Sequence, residues 1–167
     1  MAERPTVARE TGVRFSPSAL FEMKISLRKA KKEDFKEIAK LYSKEYSKSP
    51  FNEPWTLKKA LYKLGLFSNY CDIWKIEYNK KMAGFIIINS KCWCPGEIIF
   101  GEEMAIKDEY RRKDIAATTL NRIFGIYKKR GFKTYIGIVN KKSKSLGLHQ
   151  KVGTYKSKDN IIMEKKL

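Results

Sequence analysis

The chain has 167 residues, the length of one domain, and 43% of them are hydrophobic, which is typical of a folded protein rather than a disordered one. Lys and Arg total 36 against 18 Asp and Glu, so the formal net charge is +18. Such a charge favours anionic ligands such as phosphates or nucleic acid, but it also fits plain solubility. No apolar run approaches the roughly 20 residues that a membrane span needs.

Regular patterning begins just after Met23. We therefore predict an N-terminal extension over Met1–Glu22, disordered or locally packed, and one domain over residues 23–167. The extension lacks the apolar core of a secretory signal, so the predicted compartment is the cytoplasm.

The cysteines Cys71, Cys92 and Cys94 have no disulfide-like spacing, which also fits a reducing cytoplasm. Adding His149 would complete four zinc ligands, but no Cys-x-x-Cys pair is present, so no metal is predicted.

Hydrophobic periodicity predicts elements in the order β-α-α-β-β-β-α-β-α-β, a mixed sheet with helices on its faces. In chain order these are Lys24–Lys29, about Glu33–Tyr46, a helix capped by Thr56, Trp74–Tyr78, Met82–Ile88, Ile98–Ile106, a long helix ending before Gly131, Thr134–Val139, about Lys141–Lys151 and a strand around Ile161–Met163.

A basic loop joins the strand that ends at Ile106 to the long helix. It contains Arg111, Arg112 and Lys113. The first backbone N–H groups of a helix lack intrahelical partners and carry the positive end of the helix dipole, so they bind anions. This junction is therefore suited to a pyrophosphate.

The junction resembles the signature of the GNAT superfamily of N-acetyltransferases, which reads Arg/Gln-x-x-Gly-x-Gly/Ala between the fourth strand and the third helix. The segment Arg111–Ala116 matches at its first and last residues and departs at Asp114, where Gly is usual. A carboxylate there opposes a pyrophosphate, although an acidic residue suits the first helical turn. A well-capped helix without a ligand is the alternative.

A second similarity follows the fifth strand, where the family commonly carries Asn, a small residue and then Leu-Tyr-x-Lys-x-Gly-Phe. The corresponding residues here are Asn140, Ser143 or Ser145, Leu148, His149, Lys151, Gly153 and Thr154. His149 thus stands where Tyr is common, and Thr154 replaces Phe. The element order matches as well, so the resemblance covers nearly all of Ile25–Glu164.

The resemblance implies an α/β (α+β) fold with a mixed, mostly antiparallel sheet whose fourth and fifth strands splay apart around acetyl-coenzyme A. It implies direct acetyl transfer to a primary amine in a ternary complex. The cofactor-binding residues that it implies are Met104, Ala105, Ile106, Arg111, Arg112, Lys113, Asp114, Ile115, Ala116, Asn140 and Ser143. Backbone N–H groups near Met104–Ile106 would polarise the thioester carbonyl.

Two kinds of catalytic group are candidates. Glu102 or Glu103 would act as the base for the amine, and because strand neighbours point to opposite faces, only one is expected to face the cleft, with spacing slightly favouring Glu102. Both could instead bind a cationic substrate or lie in solvent. His149 would supply the proton or hydrogen bond to the departing thiolate, unless it is an incidental surface residue.

A basic nucleic-acid- or ribosome-associated protein on a GNAT-like fold, without robust catalysis, is the alternative function. No helix-turn-helix, RNP or zinc-finger spacing supports it. The acceptor stays open among protein amines, polyamines, aminoglycosides and small metabolites. Acceptor choice in the family lies largely in the segment that is here around Ser47–Trp55, and Asn89–Gly96 is a second candidate. Either a monomer or a homodimer fits.

Overall fold

A computed structural model describes residues 25–165, and the predicted extension Met1–Glu22 lies outside this range. Its centre is a five-stranded sheet in the order β1-β2-β3-β4-β5. The strands are β1 Ile25–Lys29, β2 Asp72–Tyr78, β3 Lys81–Asn89, β4 Ile98–Ile106 and β5 Thr134–Gly137. Neighbours pair antiparallel except β4 and β5, which are parallel. The predicted mixed, mostly antiparallel sheet is confirmed.

Four α-helices cover the sheet: α1 Phe35–Tyr46, α2 Leu57–Tyr70, α3 Ile115–Lys129 and α4 Ser145–Lys151. Thr56 caps α2 as predicted, because its hydroxyl accepts a hydrogen bond from the Lys59 N–H at 3.2 Å. Gly131 follows α3 with φ +95°, a left-handed conformation that favours glycine after a helix.

Two hydrophobic clusters hold the helices on opposite faces of the sheet. The first packs α1 and α2 on β3 and includes Tyr42, Leu64 and Phe85. The second packs α3 on the other face and includes Leu120 and Ile123. Each helix presents an apolar stripe with helical spacing, and burial of these stripes is the main force that closes the sandwich.

The chain after β4 differs from the prediction in three places. Strand β5 ends at Gly137 instead of Val139, because its partner β4 diverges after the Gly101–Gly137 pair. Helix α4 begins at Ser145 instead of Lys141. The segment around Ile161–Met163 forms no strand in the described part of the chain, and these side chains are exposed.

The late start of α4 has a local cause. The Asn140 side chain accepts a hydrogen bond from the Lys142 N–H at 2.8 Å, and the Asn140 carbonyl accepts one from the Ser143 N–H at 2.9 Å. Such an Asx turn offers the backbone an alternative to helix. Ser143 then accepts the Ser145 N–H at 3.1 Å, and the helix starts there.

Within residues 25–165, no helix combines the length and the apolar character that crossing a membrane would require. In the same range, no group of three or more His, Cys, Asp or Glu side chains is arranged to hold a metal ion, and the three cysteines are free thiols.

Candidate functional site

The sheet opens between β4 and β5. Their pairing ends at Gly101 and Gly137, while β4 continues to Ile106. Five residues of β4 therefore border a gap on this side, where a sheet would ordinarily place the next strand. This is the splay that the resemblance implies, and it exposes backbone groups of β4 to anything that enters.

A β-bulge in β4 decides where the two predicted carboxylates point. The register shifts so that Ile87 faces Glu103 while Ile88 faces Gly101, which leaves Glu102 as the extra residue. Both carboxylates consequently lie on the α1–α2 face. The expectation that strand alternation sends these two neighbours to opposite faces is wrong, because strict alternation holds only where the ladder is regular.

Glu103 lies among aromatic side chains of α1. The Tyr42 hydroxyl donates to its Oε1 at 2.6 Å, and Tyr46 lies beside it. Burial raises the pKa of the Glu103 carboxyl, partly offset by the hydrogen bonds from the two tyrosines, and nearby Glu53 raises it further. Desolvation opposes the charged form of a carboxyl, so this group binds a proton more readily than an exposed glutamate does.

Glu102 has a more polar environment at the end of β3. The Asn89 side-chain amide donates to its Oε1 at 2.8 Å, and its charge reaches Tyr70 and Cys71 at the end of α2. The structure thus separates two adjacent carboxylates by their surroundings: aromatic side chains enclose Glu103, and an amide donor holds Glu102.

A cavity of about 320 Å³ lies at the N-terminus of α3. Four segments line it: the end of β4, the loop before α3, the first turn of α3, and α4 with the residue before it. They are Ile106, Tyr110, Arg111, Arg112, Asp114, Ile115, Ala116, Ala117, Lys144, Gly147, Leu148 and Lys151. The N–H groups of a helix start and several cations therefore meet in one concave surface, which suits a pyrophosphate.

Several predicted cofactor residues, Arg111 among them, contact other side chains of the protein. The Arg111 guanidinium bonds Glu45 Oε2 at 2.5 Å and Asp108 Oδ1 at 2.7 Å, which anchors the loop to α1. Lys113 lies over the Tyr78 and Tyr110 rings, 5.6 Å from each centroid. Asn140 and Ser143 form the turn before α4 and lie outside the cavity lining.

Besides Arg111 and Arg112, the cations Lys144 and Lys151 line the cavity. Lys144 carried no signal in the sequence beyond its charge, because only the packing of α4 beside α3 brings it to the helix start.

Asp114 occupies the position where the family usually has Gly. Its φ is +54°, in the left-handed region that Gly adopts without strain and that Asp and Asn tolerate. Its carboxylate makes no capping hydrogen bond in α3 and instead pairs with Lys151 at 2.7 Å. The carboxylate thus neutralises a cation that borders the cavity.

We expect Asp114→Gly to tighten coenzyme A binding by about 3- to 10-fold, since it removes a negative charge worth about 1 kcal/mol and frees Lys151. Asp114→Asn is the matched variant, because Asn tolerates the same backbone conformation without the charge. Calorimetric titration of both variants shows whether the charge of Asp114 or its backbone conformation limits the affinity for coenzyme A. Equal or weaker affinity in both variants would show that Asp114 does not oppose the ligand.

The last hydrogen bond between β4 and β3 shows in which direction each backbone group of β4 points. The Lys107 N–H donates to the Ala83 carbonyl at 2.8 Å, so it faces β3. Backbone groups alternate in direction along a strand. The backbone N–H and carbonyl of Ala105 therefore also point to β3, whereas those of Met104 and Ile106 point to the opening beside β5.

The Tyr46 hydroxyl already contacts Met104 on this open side. The Met104 N–H donates to it at 3.2 Å. The Ile106 carbonyl accepts from Arg111 Nε at 3.1 Å, while the Ile106 N–H points into the opening. A ligand amide that enters here can form a hydrogen bond with the Ile106 N–H directly. At Met104 the backbone N–H is already bonded to the Tyr46 hydroxyl.

His149 lies on α4, partly buried, with its ring stacked on Tyr135 of β5 at a centroid distance of 6.1 Å and an interplanar angle of 19°. Burial lowers the pKa of the imidazole below its ordinary value, so the ring is neutral at pH 7. Tyr135 was not among the residues that the sequence predicted for the site. The only available signal was a Tyr-x-Gly pattern at the end of a strand, which has many ordinary explanations.

A splayed mixed sheet with a basic helix N-terminus beside the opening is the arrangement that the resemblance to acyl-transferring enzymes implies. A profile of the acetyltransferase (GNAT) family matches residues 35–154. The chain belongs to this family. No match is found among curated protein sequences.

Solved structures share the fold. A possible acetyltransferase from Clostridium difficile 630 superposes with a TM-score of 0.73 at 17% identity, covering 87% of this chain and 99% of the other. An N-acetyltransferase from Staphylococcus aureus Mu50 has a TM-score of 0.62 at 24% identity, covering 77% and 81%. AAC(6')-Iy, in complex with a bisubstrate analog, CoA-S-monomethyl-acetylneamine, has a TM-score of 0.66 at 12% identity, covering 86% and 99%.

Proposed function

We propose that this protein transfers an acetyl group from acetyl-coenzyme A to a primary amine by direct attack in a ternary complex. The observation that carries this proposal is the position of Glu103, a partly buried carboxyl at the β4 bulge, beside the opening between β4 and β5. The cavity at the start of α3 lies at the other end of the same strand segment. A base and an anion site thus flank one opening.

The cavity supports acetyl-coenzyme A as the donor. Its wall combines the start of α3 with Arg112, Lys144 and Lys151, which together would hold a pyrophosphate. The Ile106 N–H in the opening would pair with the pantetheine arm. A backbone donor at the thioester carbonyl would stabilise charge that develops on oxygen.

Glu103 is the proposed general base. An alkylammonium keeps its proton until roughly pH 10, so an acceptor at neutral pH must lose a proton before attack. The carboxyl of Glu103 lies on the α1–α2 face, from which an acceptor would enter. Its raised pKa moves it toward the range in which it can take a proton and release it to solvent.

The acceptor side favours a cationic amine. Glu103 and Glu53 place negative charge beside Tyr42 and Tyr46, although the chain as a whole is strongly positive. Trp55 packs edge-on against Tyr42 at a centroid distance of 4.7 Å, which adds an aromatic wall. Aromatic faces and carboxylates are the groups that attract ammonium ions.

The proposal predicts that acetyl-coenzyme A raises the melting temperature. A ligand that binds only the native state at about 100 times its Kd stabilises it by about 2.7 kcal/mol. Thermal unfolding should be measured with acetyl-coenzyme A and with desulfo-coenzyme A. Both should stabilise the protein, because both carry the pyrophosphate.

The absence of a shift with either compound would overturn the donor assignment. RNA binding that weakens steeply with salt, combined with no such shift, would favour the nucleic-acid-associated alternative. Where the shift is seen, a screen of amine acceptors monitored by thiol release identifies the substrate.

A further inference from the structure

The ammonium group of Lys63 lies on the acceptor side of the sheet, beside the aromatic side chains that enclose Glu103. Its Nζ is 5.0 Å from the centroid of the Phe67 ring and 5.8 Å from the centroid of the Trp55 ring. Trp55 in turn packs edge-on against Tyr42, whose hydroxyl donates to Glu103. The cation on α2 and the proposed base on β4 therefore border the same aromatic cluster.

Lys63 differs from the other half-buried lysines of residues 25–165 because it has no carboxylate beside it. These other lysines are Lys75, which lies 3.0 Å from Asp34, and Lys107, which lies 2.9 Å from Glu37. No Asp or Glu in the same range forms an ion pair with Lys63, which lies against the two aromatic rings instead. A cation that is taken partly out of water ordinarily gains an anionic partner. An anionic group of a ligand would supply the partner that the described chain does not.

The charge of Lys63 also acts on Glu103. Burial raises the pKa of the Glu103 carboxyl, whereas the hydrogen bonds from the two tyrosines and the positive charge of Lys63 lower it, and Glu53 raises it again. Glu53 accepts a hydrogen bond from the Trp55 indole N–H at 2.5 Å. Two carboxylates and one ammonium group thus share this side of the sheet. The carboxylates attract a substrate amine, and Lys63 would repel a second positive charge on the same substrate.

Hydrogen bonds hold the surroundings of Lys63 in place. The Trp55 carbonyl accepts from the Ser47 hydroxyl at 3.2 Å, and the Pro54 carbonyl accepts from Lys59 Nζ at 2.9 Å. These bonds fix the end of the loop between α1 and α2 against the helix that carries Lys63. A charged group on such a framework selects ligands by the position of their charge as well as by its sign.

We propose that Lys63 determines the class of acceptor, a primary amine that also carries an anionic group. This inference rests on the proposed function: Glu103 receives the amine, and Lys63 binds the anionic group. Two sources share this chemistry, a small amino acid whose amine and carboxylate are several atoms apart, and a peptide N-terminus followed by an acidic residue. Polyamines and aminoglycosides are disfavoured, because they would bring further ammonium groups toward Lys63.

The test compares acceptors that differ only in charge. Amino acids from β-alanine to aminohexanoate are compared with their amides, and short peptides with Asp after the N-terminal residue are compared with the same peptides carrying Asn. Because a hydrogen bond between two charged groups is about twice as strong as a neutral one, wild-type kcat/KM should be about 10-fold higher for the best anionic acceptor than for its neutral counterpart. Spermidine and kanamycin should be poorer acceptors than either.

Lys63→Met keeps the unbranched apolar stem and removes the charge. Its KM for the anionic acceptor should rise about 10-fold, with kcat and the neutral acceptor little changed, and Lys63→Arg should retain the preference. These constants are compared above the acidic limb of the pH profile, because loss of the Lys63 charge raises the pKa of Glu103 and moves that limb to higher pH with either acceptor. Lys58→Met, an exposed lysine of the same helix, is the matched control and should behave as wild type.

The possible results are distinct. Transfer to no amine, together with no binding of acetyl-coenzyme A, would refute the proposed function itself. Transfer to neutral amines or polyamines as fast as to anionic acceptors would leave that function standing and overturn the role of Lys63. An equal loss with anionic and neutral acceptors in Lys63→Met would show a structural role and also overturn the inference. A preference confined to amino acids or to acidic peptides would support it and identify the source of the acceptor.

Discussion

Glu103→Gln is expected to lower kcat by about 10²- to 10³-fold while leaving acetyl-coenzyme A affinity unchanged. Gln has the shape of Glu and can still accept the hydrogen bond from Tyr42, which spans 2.6 Å in the wild type. It cannot accept a proton from an ammonium ion. The loss should therefore appear in the chemical step, measured as kcat with any acceptor that the screen identifies.

The pH dependence gives a second test of Glu103. Only its carboxylate accepts a proton, so wild-type kcat/KM should fall as pH drops through the pKa of this group, which burial places above its ordinary value. Glu103→Gln should lack that inflection. The variant should unfold at an equal or higher temperature, because it removes a carboxylate whose charged form burial opposes.

Glu102→Gln is the comparison that separates the two carboxylates. The Asn89 amide holds Glu102 apart from the tyrosines that enclose Glu103, so we expect a loss below about tenfold and no change in the acidic limb of the profile. A larger loss in Glu102→Gln than in Glu103→Gln would transfer the role of base to Glu102. Wild-type kcat in both variants would mean that the acceptor attacks without a carboxylate from β4.

Asp34→Ala is expected to destabilise the fold by about 3 kcal/mol, because it removes the centre of an ionic network. Asp34 is 6% exposed and receives Arg28 in a two-pronged contact at 2.6 and 2.8 Å, Lys75 at 3.0 Å and the Lys31 N–H at 2.9 Å. These bonds tie β1, β2 and the entry to α1 together. Urea unfolding should show a lower midpoint.

The acid sensitivity of this network follows from its charges. The Arg28 guanidinium holds the pKa of the Asp34 carboxyl well below its usual range. A carboxyl with a lowered native pKa stabilises the fold above its unfolded value, near 3.8, and this contribution is lost as pH falls through the native value. The stability difference between wild type and Asp34→Asn should therefore narrow below about pH 4.

Glu33→Gln is the control for Asp34, since the neighbouring Glu33 side chain is 73% exposed and its contact with Lys31 is 3.9 Å. It should change the free energy of unfolding by less than about 0.5 kcal/mol. Equal destabilisation by both substitutions would show that general charge, and not the network at Asp34, sets the effect.

Much of the fold was predictable from local pattern. The apolar stripes of α1, α2 and α3 have helical spacing, Thr56 and Gly131 have the chemistry of helix ends, and β2 to β4 are separated by turn residues. These signals come from neighbours in the chain, so the sequence by itself determined the element order up to α4 and the basic junction before α3. The prediction was wrong at the end of β5, at the start of α4 and at Ile161–Met163. Structure there depends on whether a partner strand or a hydrogen-bonded turn is available.

The candidate site depended on contacts that periodicity does not contain. The bulge at Glu102 turned both carboxylates to one face, against the alternation that a regular strand imposes. Asp114 met Lys151 only because α4 packs beside α3, and the Tyr135 ring lies against Gly101 and Gly137 only because these glycines pair across two strands. Local pattern determines which elements form, whereas pairing register and packing between distant segments decide which side chains come together.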